Sequence, residues 1–215
     1  MSEKDILNES TSKNNNSPTP KQPPRVGFIK MIPTFIDYAE IFIVALSLVI
    51  IIFSFFIRIC EVKGPSMENT LFGGEKLIVS KVGYTPKRGD VVVFHQTGTL
   101  NEPVVKRVIA TEGETVNIKF DYANSYMTVI ITDTNGKTFI LDESEYMNLD
   151  SSEVRDYIHY EMPYTVPEGC LFVMGDNRNH STDSRSFEIG PVDERRILGK
   201  VIFRVSPFDR FGPVN

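Results

Sequence analysis

The residues from Ile41 to Ile57, IFIVALSLVIIIFSFFI, carry no charge. As a helix at about 1.5 Å per residue, this run reaches roughly 26 Å, close to the thickness of a bilayer's hydrocarbon core at about 30 Å. It could be a buried core helix, a membrane span or a cleaved secretion signal. A signal would have a shorter apolar region nearer the terminus and end in small residues, whereas Arg58 and Ile59 follow here. We therefore expect an uncleaved transmembrane anchor over residues 38–60, with Ile59 and Cys60 extending it past Arg58. Lys21, Arg25 and Lys30 precede the run and Arg58 and Lys63 follow it, a bias that favours a cytoplasmic N-terminus. The chain is then a single-pass protein of the cytoplasmic membrane, with everything after residue 60 outside the cytoplasm.

Residues 1–37 begin with a stretch rich in Ser, Asn, Thr, Lys and Pro, including NNNSPTPKQPP, which has too few apolar residues to pack. A disordered or polar cytoplasmic tail is the expectation. The chain has 215 residues, 41% hydrophobic and 24% charged, enough for one globular domain behind the anchor. Its net charge of -5 and the absence of a basic stripe argue against a nucleic-acid partner. Cys60 and Cys170 are too few for a disulfide scaffold and read as unpaired.

From Lys76 onward the pattern turns to strands. KLIVSKV, DVVVFH, PVVKRVIA, TVNIKF, MTVIIT and TFILD are rich in β-branched residues and bounded by Gly and Pro. Asn135-Gly136 between the last two is a hairpin signal, so a β-ribbon excursion is expected over about residues 115–165. Asp142 to Tyr160 is acidic without clean periodicity, and a short helix plus loop is expected around Ser152 to Tyr160. GCLFVM reads as a strand ending in the polar loop GDNRNHSTDSR, and RRILGKVIFRVSPF as a closing strand. The fold class is mainly β, a compact β domain with a β-ribbon excursion behind one transmembrane helix; 61–215 is expected to form the extracytoplasmic domain.

Chemistry concentrates in EVKGPSMENTLF, Glu61 to Phe72. Gly64 and Pro65 favour a tight bend before Ser66, which lets a backbone N–H point outward beside the hydroxyl and hold an oxyanion. A nucleophilic serine needs a proton acceptor. Of His95, His159 and His180, the last shares a loop with Asp176 and Asp183 and could complete a Ser-His-Asp set. Lys106 in PVVKRVIA is the competing base. Strand alternation would turn Lys106 and Arg107 to opposite faces. Burial against apolar neighbours can lower a lysine pKa from about 10.4 by 3 to 5 units, whereas on a solvated edge strand Lys106 would be an ordinary cation. The loop GDNRNHSTDSR misses the calcium-loop spacing. Asn177 and Asn179 fit turn positions, and Asp183 with Arg185 fits a bracing pair.

The segments GPSMENTL, RGDVVVF, VVKRVIATEGETV and GDNRNHSTDSRSFEIGPV, in this order after one anchor, closely resemble the motifs of type I signal peptidases, the membrane-bound Ser-Lys leader peptidases, in their Gram-positive-like single-anchor form. The likeness covers most of residues 60–210. It implies that Ser66 is the nucleophile and Lys106 the general base, that Ser181 orients the lysine amine, and that Asp183 and Arg185 form the loop's structural ion pair. Val62, Met67, Val104 and Val105 would line pockets for the small side chains before a cleavage site. It also implies no metal or organic cofactor, and signal-peptide-bearing preproteins and membrane lipid as partners. The chain departs from the family pattern where Asn69 replaces a proline, where Ala110, Glu112 and Glu114 replace Gly, Pro and Asp, and where Gly64 stands in place of a serine that aids the oxyanion hole in some members. Two other readings fit parts of the pattern: a Ser-Lys self-cleaving protease like the SOS-response repressors, and a membrane-anchored, non-catalytic β-domain that binds partners.

Overall fold

The computed structural model describes residues 26–96, 103–121, 126–147 and 158–214. The expected N-terminal tail up to residue 25 and most of the expected helix around Ser152 to Tyr160 lie outside these residues. The chain divides into two compact units, Met1–Leu48 and Val49–Asn215.

Helix α1 spans Val26–Phe56. Apolar side chains stand exposed at successive positions along it, with Ile41 at 64%, Phe42 at 66%, Ile43 at 61% and Val44 at 63%. Consecutive residues on a helix point about 100° apart, so the exposure runs around the whole circumference rather than along one stripe. Among the described residues no helix is long and apolar enough to cross a membrane. The helix also ends earlier than the expected anchor. Ile57 N–H donates to Phe53 O at 2.9 Å, and Arg58–Glu61 then form a strand, β1. Ile59 and Cys60 are apolar in either setting, but pairing opposite Ile78 and Leu77 gives their backbone groups sheet partners.

Among its described residues the second unit contains twelve strands: β1 (Arg58–Glu61), β2 (Lys76–Ser80), β3 (Val91–His95), β4 (Pro103–Ala110), β5 (Thr115–Asp121), β6 (Tyr126–Thr132), β7 (Thr138–Ile140), β8 (Tyr164–Thr165), β9 (Cys170–Met174), β10 (Val192–Asp193), β11 (Ile197–Ser206) and β12 (Gly212–Pro213). One sheet runs β1-β2-β11-β3-β4-β9-β10, with β12 on β11; the other runs β7-β6-β5-β8. The fold is mainly β. In β3, Val91, Val92, Val93 and Phe94 are all buried, because apolar clusters cover both faces of the strand. In β6, Met127, Val129 and Ile131 alternate inward and pack with Phe172 and Met174 of β9.

The excursion after β4 is thus a four-stranded sheet with its own apolar face, more than a ribbon. Its β6–β7 hairpin turns through Asp133–Lys137. Asp133 Oδ1 accepts from Asn135 N–H and Lys137 N–H, both at 2.9 Å, while Gly136 takes φ +81°. Strand β4 lies between β3 and β9, not at an edge. Lys106 and Arg107 are accordingly both buried, at 3% and 2% exposure, which excludes the solvated-edge reading of Lys106. Cys60 and Cys170 are free thiols.

Candidate active site

The loop between β1 and β2 is closed at its base by two backbone bonds, Val62 N–H to Glu75 O and Gly74 N–H to Val62 O, each 2.9 Å. Gly64 takes φ +74°, where a side chain would be strained, and turns the chain into Pro65 and Ser66. A helical turn follows: Glu68 N–H donates to Pro65 O at 3.0 Å and Leu71 N–H to Met67 O at 2.7 Å. Met67 and Leu71 are buried and pin the turn to the core. Asn69 adopts φ +103°. Proline is fixed near −65°, so the proline that the resemblance would place here does not fit this backbone.

Ser66 is half-buried at the head of this turn. Lys106, forty residues later on β4, donates from Nζ to Ser66 Oγ at 2.7 Å and to Val105 O at 3.1 Å. Burial lowers the Lys106 pKa from 10.5 to about 8, because the cation loses its water; Asp183 and Asp176 oppose the shift and Arg185 adds to it. A lysine near pH 8 is neutral often enough to accept a hydroxyl proton, which an ordinary lysine is not.

The polar loop after β9 holds the serine's main chain from the other side. Asn177 N–H donates to Ser66 O at 3.1 Å, and Asn177 Nδ2 to Pro65 O at 3.2 Å. The turn reading of Asn177 missed this contact, which no local signal reveals. Gly175 permits the approach: a Cβ there would lie 2.4 Å from Ser66 O and 2.3 Å from Ser181 Oγ.

Ser181 therefore sits close to Ser66, but its hydroxyl donates to Asp183 Oδ2 at 2.7 Å, whereas the amine of Lys106 is shared between Ser66 and Val105. Asp183 and Arg185 form a buried two-pronged pair, Nε to Oδ1 and Nη2 to Oδ2, each 2.8 Å. Burial pushes the Asp183 carboxyl up, but Arg185, the Gly175 N–H and the Ser181 hydroxyl outweigh it and hold the group below the usual carboxylate range. Next to it, Arg107 grips Asp176 through Nε and Nη2, both at 2.8 Å.

A Ser-His-Asp set is not assembled. Asp176 and Asp183 are taken by arginines, and His180 lines a separate cavity of about 350 Å³ with His159, Ser181 and Glu188. Ser66 and Lys106 instead open on a cavity of about 150 Å³ that Val62, Met67, Val104 and Val105 also line. The four apolar residues singled out from the sequence thus converge beside the hydroxyl. Among the described residues, no group of His, Cys, Asp and Glu converges as a metal site.

This arrangement can hand a serine proton to an amine beside a small apolar recess. The family model for signal peptidase, peptidase S26, matches residues 35–206. Signal peptidase IB of Staphylococcus aureus (strain COL) is 36% identical over 183 residues, spanning 78% of this chain and 87% of that protein. A probable signal peptidase I-1 of Synechocystis sp. is 32% identical over 183 residues, spanning 80% of this chain and 83% of its own length. The crystal structure of a signal peptidase I from Enterococcus faecalis V583 is 31% identical, covers 55% of this chain and 97% of the solved one, and superposes with a TM-score of 0.40. By the extent of the family match and the identity to these relatives, the chain belongs to the signal peptidase family, peptidase S26, and is a serine-type hydrolase.

Proposed function

We propose that the protein is an endopeptidase that removes N-terminal signal peptides from exported preproteins at the outer face of the cytoplasmic membrane, using Ser66 and Lys106 as a dyad. The observation that carries this reading is the 2.7 Å bond from Lys106 Nζ to Ser66 Oγ, made by a lysine whose burial brings its pKa to about 8. Neutral Lys106 takes the Ser66 proton as Oγ attacks the scissile carbonyl carbon. The proton then passes to the departing amine as the C–N bond breaks and an acyl ester remains on Ser66. Water, activated by the again neutral Lys106, adds to the ester, and Ser66 regains its proton as the signal peptide's carboxylate leaves.

Ser181, Asp183 and Arg185 support the dyad. Arg185 clamps Asp183, whose Oδ2 holds both the Ser181 hydroxyl and the Gly175 N–H against Ser66. The recess between Val62, Met67, Val104 and Val105 is small, consistent with small residues on the substrate side of the cut. The substrate lies extended there and pairs with exposed strand backbone.

The anchor is the uncharged stretch from Ile41 to the end of α1 at Phe56. Apolar side chains exposed all round the helix support this placement, since lipid is what would cover them. The tail precedes it in the cytoplasm, the peptidase domain lies beyond it, and residues 115–165 are an insertion within that domain. The test is incubation of the full-length protein in detergent with a preprotein, followed by sequencing of the new N-terminus. A cut after a small-x-small pattern supports the reading; an intact preprotein, or a cut elsewhere, overturns it.

A further inference from the structure

Outside the motifs described so far, the turn that follows β7 reaches back to the polar loop. Glu143 and Arg178 are both buried, at 6% and 3% exposure, and pair through two bonds: Arg178 Nη1 to Glu143 Oε2 at 2.9 Å, and Nη2 to Oε1. With its headgroup fixed, Arg178 donates from Nε to Gly175 O at 3.0 Å. Gly175 is the residue whose lack of a side chain lets Ser66 and Ser181 approach, and its N–H is held by Asp183 Oδ2 at 3.0 Å. Three residues on from Glu143, Tyr146 donates its hydroxyl to Glu143 Oε1 at 3.0 Å, and its ring lies 4.0 Å below the Arg107 guanidinium that grips Asp176. One turn of the insertion thus touches the polar loop at two points, at Gly175 through Arg178 and at Asp176 through Arg107.

We propose that Glu143 and Tyr146 are positioning residues for the reaction: they hold Arg178 and Arg107 so that the Gly175–Asp176 backbone sits where Ser66 meets Lys106. The inference rests on the Ser66–Lys106 reading above. A buried pair is weak evidence of stability by itself, because desolvation offsets attraction. What makes this pair a positioning device is its third bond, from Arg178 Nε to the carbonyl of the loop's closest approach. Removing the carboxylate charge leaves a buried guanidinium that interacts with Asp183, one of the two acids whose charge acts on Lys106. Arg178 would compete for Asp183, and Lys106 would lose negative charge nearby. The lysine proton is then held more weakly.

The test compares variants of the full-length protein in detergent, with preprotein cleavage followed across pH and thermal unfolding measured in parallel. Glu143→Gln should lower kcat by about tenfold or more with KM within about twofold, a loss confined to the reacting geometry. The limb along which kcat/KM rises with pH should move to lower pH, a change that loosened packing alone would not produce. Glu143→Asp retains the charge and should return the limb to its wild-type position. Tyr146→Phe keeps the ring over Arg107 and should cost less than Tyr146→Leu. Should Glu143→Gln fail to fold, the double variant Glu143→Leu with Arg178→Met decides. Apolar replacement of both partners is often tolerated, so it should unfold near the wild-type temperature yet stay impaired in kcat, because Gly175 O has lost its donor. Wild-type kcat in that double variant, or an unmoved limb in a folded Glu143→Gln, overturns the proposal. Ser66→Ala in the same assay separates the two levels. If it still cleaves, the dyad reading fails; if it is silent while Glu143→Gln behaves as wild type, only the positioning role falls.

Discussion

Replacing Lys106 by methionine should abolish cleavage and at the same time make the protein harder to unfold. In the unfolded chain the lysine titrates near its ordinary value of 10.5; in the folded protein burial brings it to about 8. Each unit of difference is worth about 1.4 kcal/mol, so below pH 8 the folded state carries a penalty of about 3 kcal/mol for holding this ammonium. Between pH 8 and 10.5 the native lysine is neutral while the unfolded one is still charged, so the unfolded state binds the extra proton and stability climbs with pH. Above 10.5 both are neutral and the penalty has gone. Lys106→Met removes the penalty and loses the hydrogen bonds to Ser66 and Val105, worth about 1 kcal/mol each, for a net gain of about 1 kcal/mol at pH 7. For a chain of this size that is a rise in Tm of roughly 2 to 4 °C. Thermal unfolding followed by circular dichroism at pH 7 and again above pH 10.5 measures both halves, and the advantage should vanish at the higher pH. A variant less stable than wild type at pH 7, or one whose advantage ignores pH, would refute the argument that desolvation depresses this amine.

Four further outcomes are expected. Ser66→Ala should lose cleavage by several orders of magnitude, with Tm changed by little, as measured by product release and unfolding in the same preparation. The wild-type kcat/KM profile should rise with pH along a limb near 8, and His95→Ala, His159→Ala and His180→Ala should each leave that limb in place; its loss in His180→Ala would move the base into the polar loop. Gly175→Ala should cut kcat sharply, since its Cβ would fall 2.3 Å from Ser181 Oγ and 2.4 Å from Ser66 O; unaltered turnover would mean the loops are free to part. Asn69→Gly should stabilise and Asn69→Pro destabilise by about 1 to 3 kcal/mol, because φ +103° suits the first and is closed to the second; equal Tm values would place Asn69 in an ordinary conformation.

The strands were legible because β-branched runs between Gly and Pro have few other uses; β2, β3, β4, β7, β9 and β11 fall within the segments read from composition, and β5 and β6 overrun theirs by one residue each, Asp121 and Tyr126. Their order was not legible. Strand β11, near the C-terminus, inserts between β2 and β3, and β9 pairs along the other side of β4, which puts β4 in the sheet interior with both its charged residues buried. The end of α1 was misplaced for a related reason: Ile59 and Cys60 suit a helix until β2 offers a ladder. Motif order singled out Ser66 and Lys106, but their meeting across forty residues depends on the β3–β4 pairing that sets Lys106 opposite Val92. Asn177 and Glu143 gave no signal, since both act through partners far away in the chain, Ser66 and Arg178.

Lys106 and Arg107 stand next to each other on β4, one bonded to Ser66 and the other to Asp176. The two cations are not interchangeable. A shift of one residue in the pairing of β4 would present a guanidinium to the serine, and a guanidinium does not give up its proton in a protein. Single-residue insertions and deletions in this strand should therefore divide sharply by position. A change of length upstream of Pro103 falls outside the ladder that runs from Val91 opposite Arg107 to His95 opposite Pro103, so the register is kept and activity should survive. Between Val104 and Arg107 the same change rotates every following side chain to the opposite face, and a protein that still folds should be inert. A scan of one-residue insertions across 96–110, scored for cleavage, would map that boundary directly.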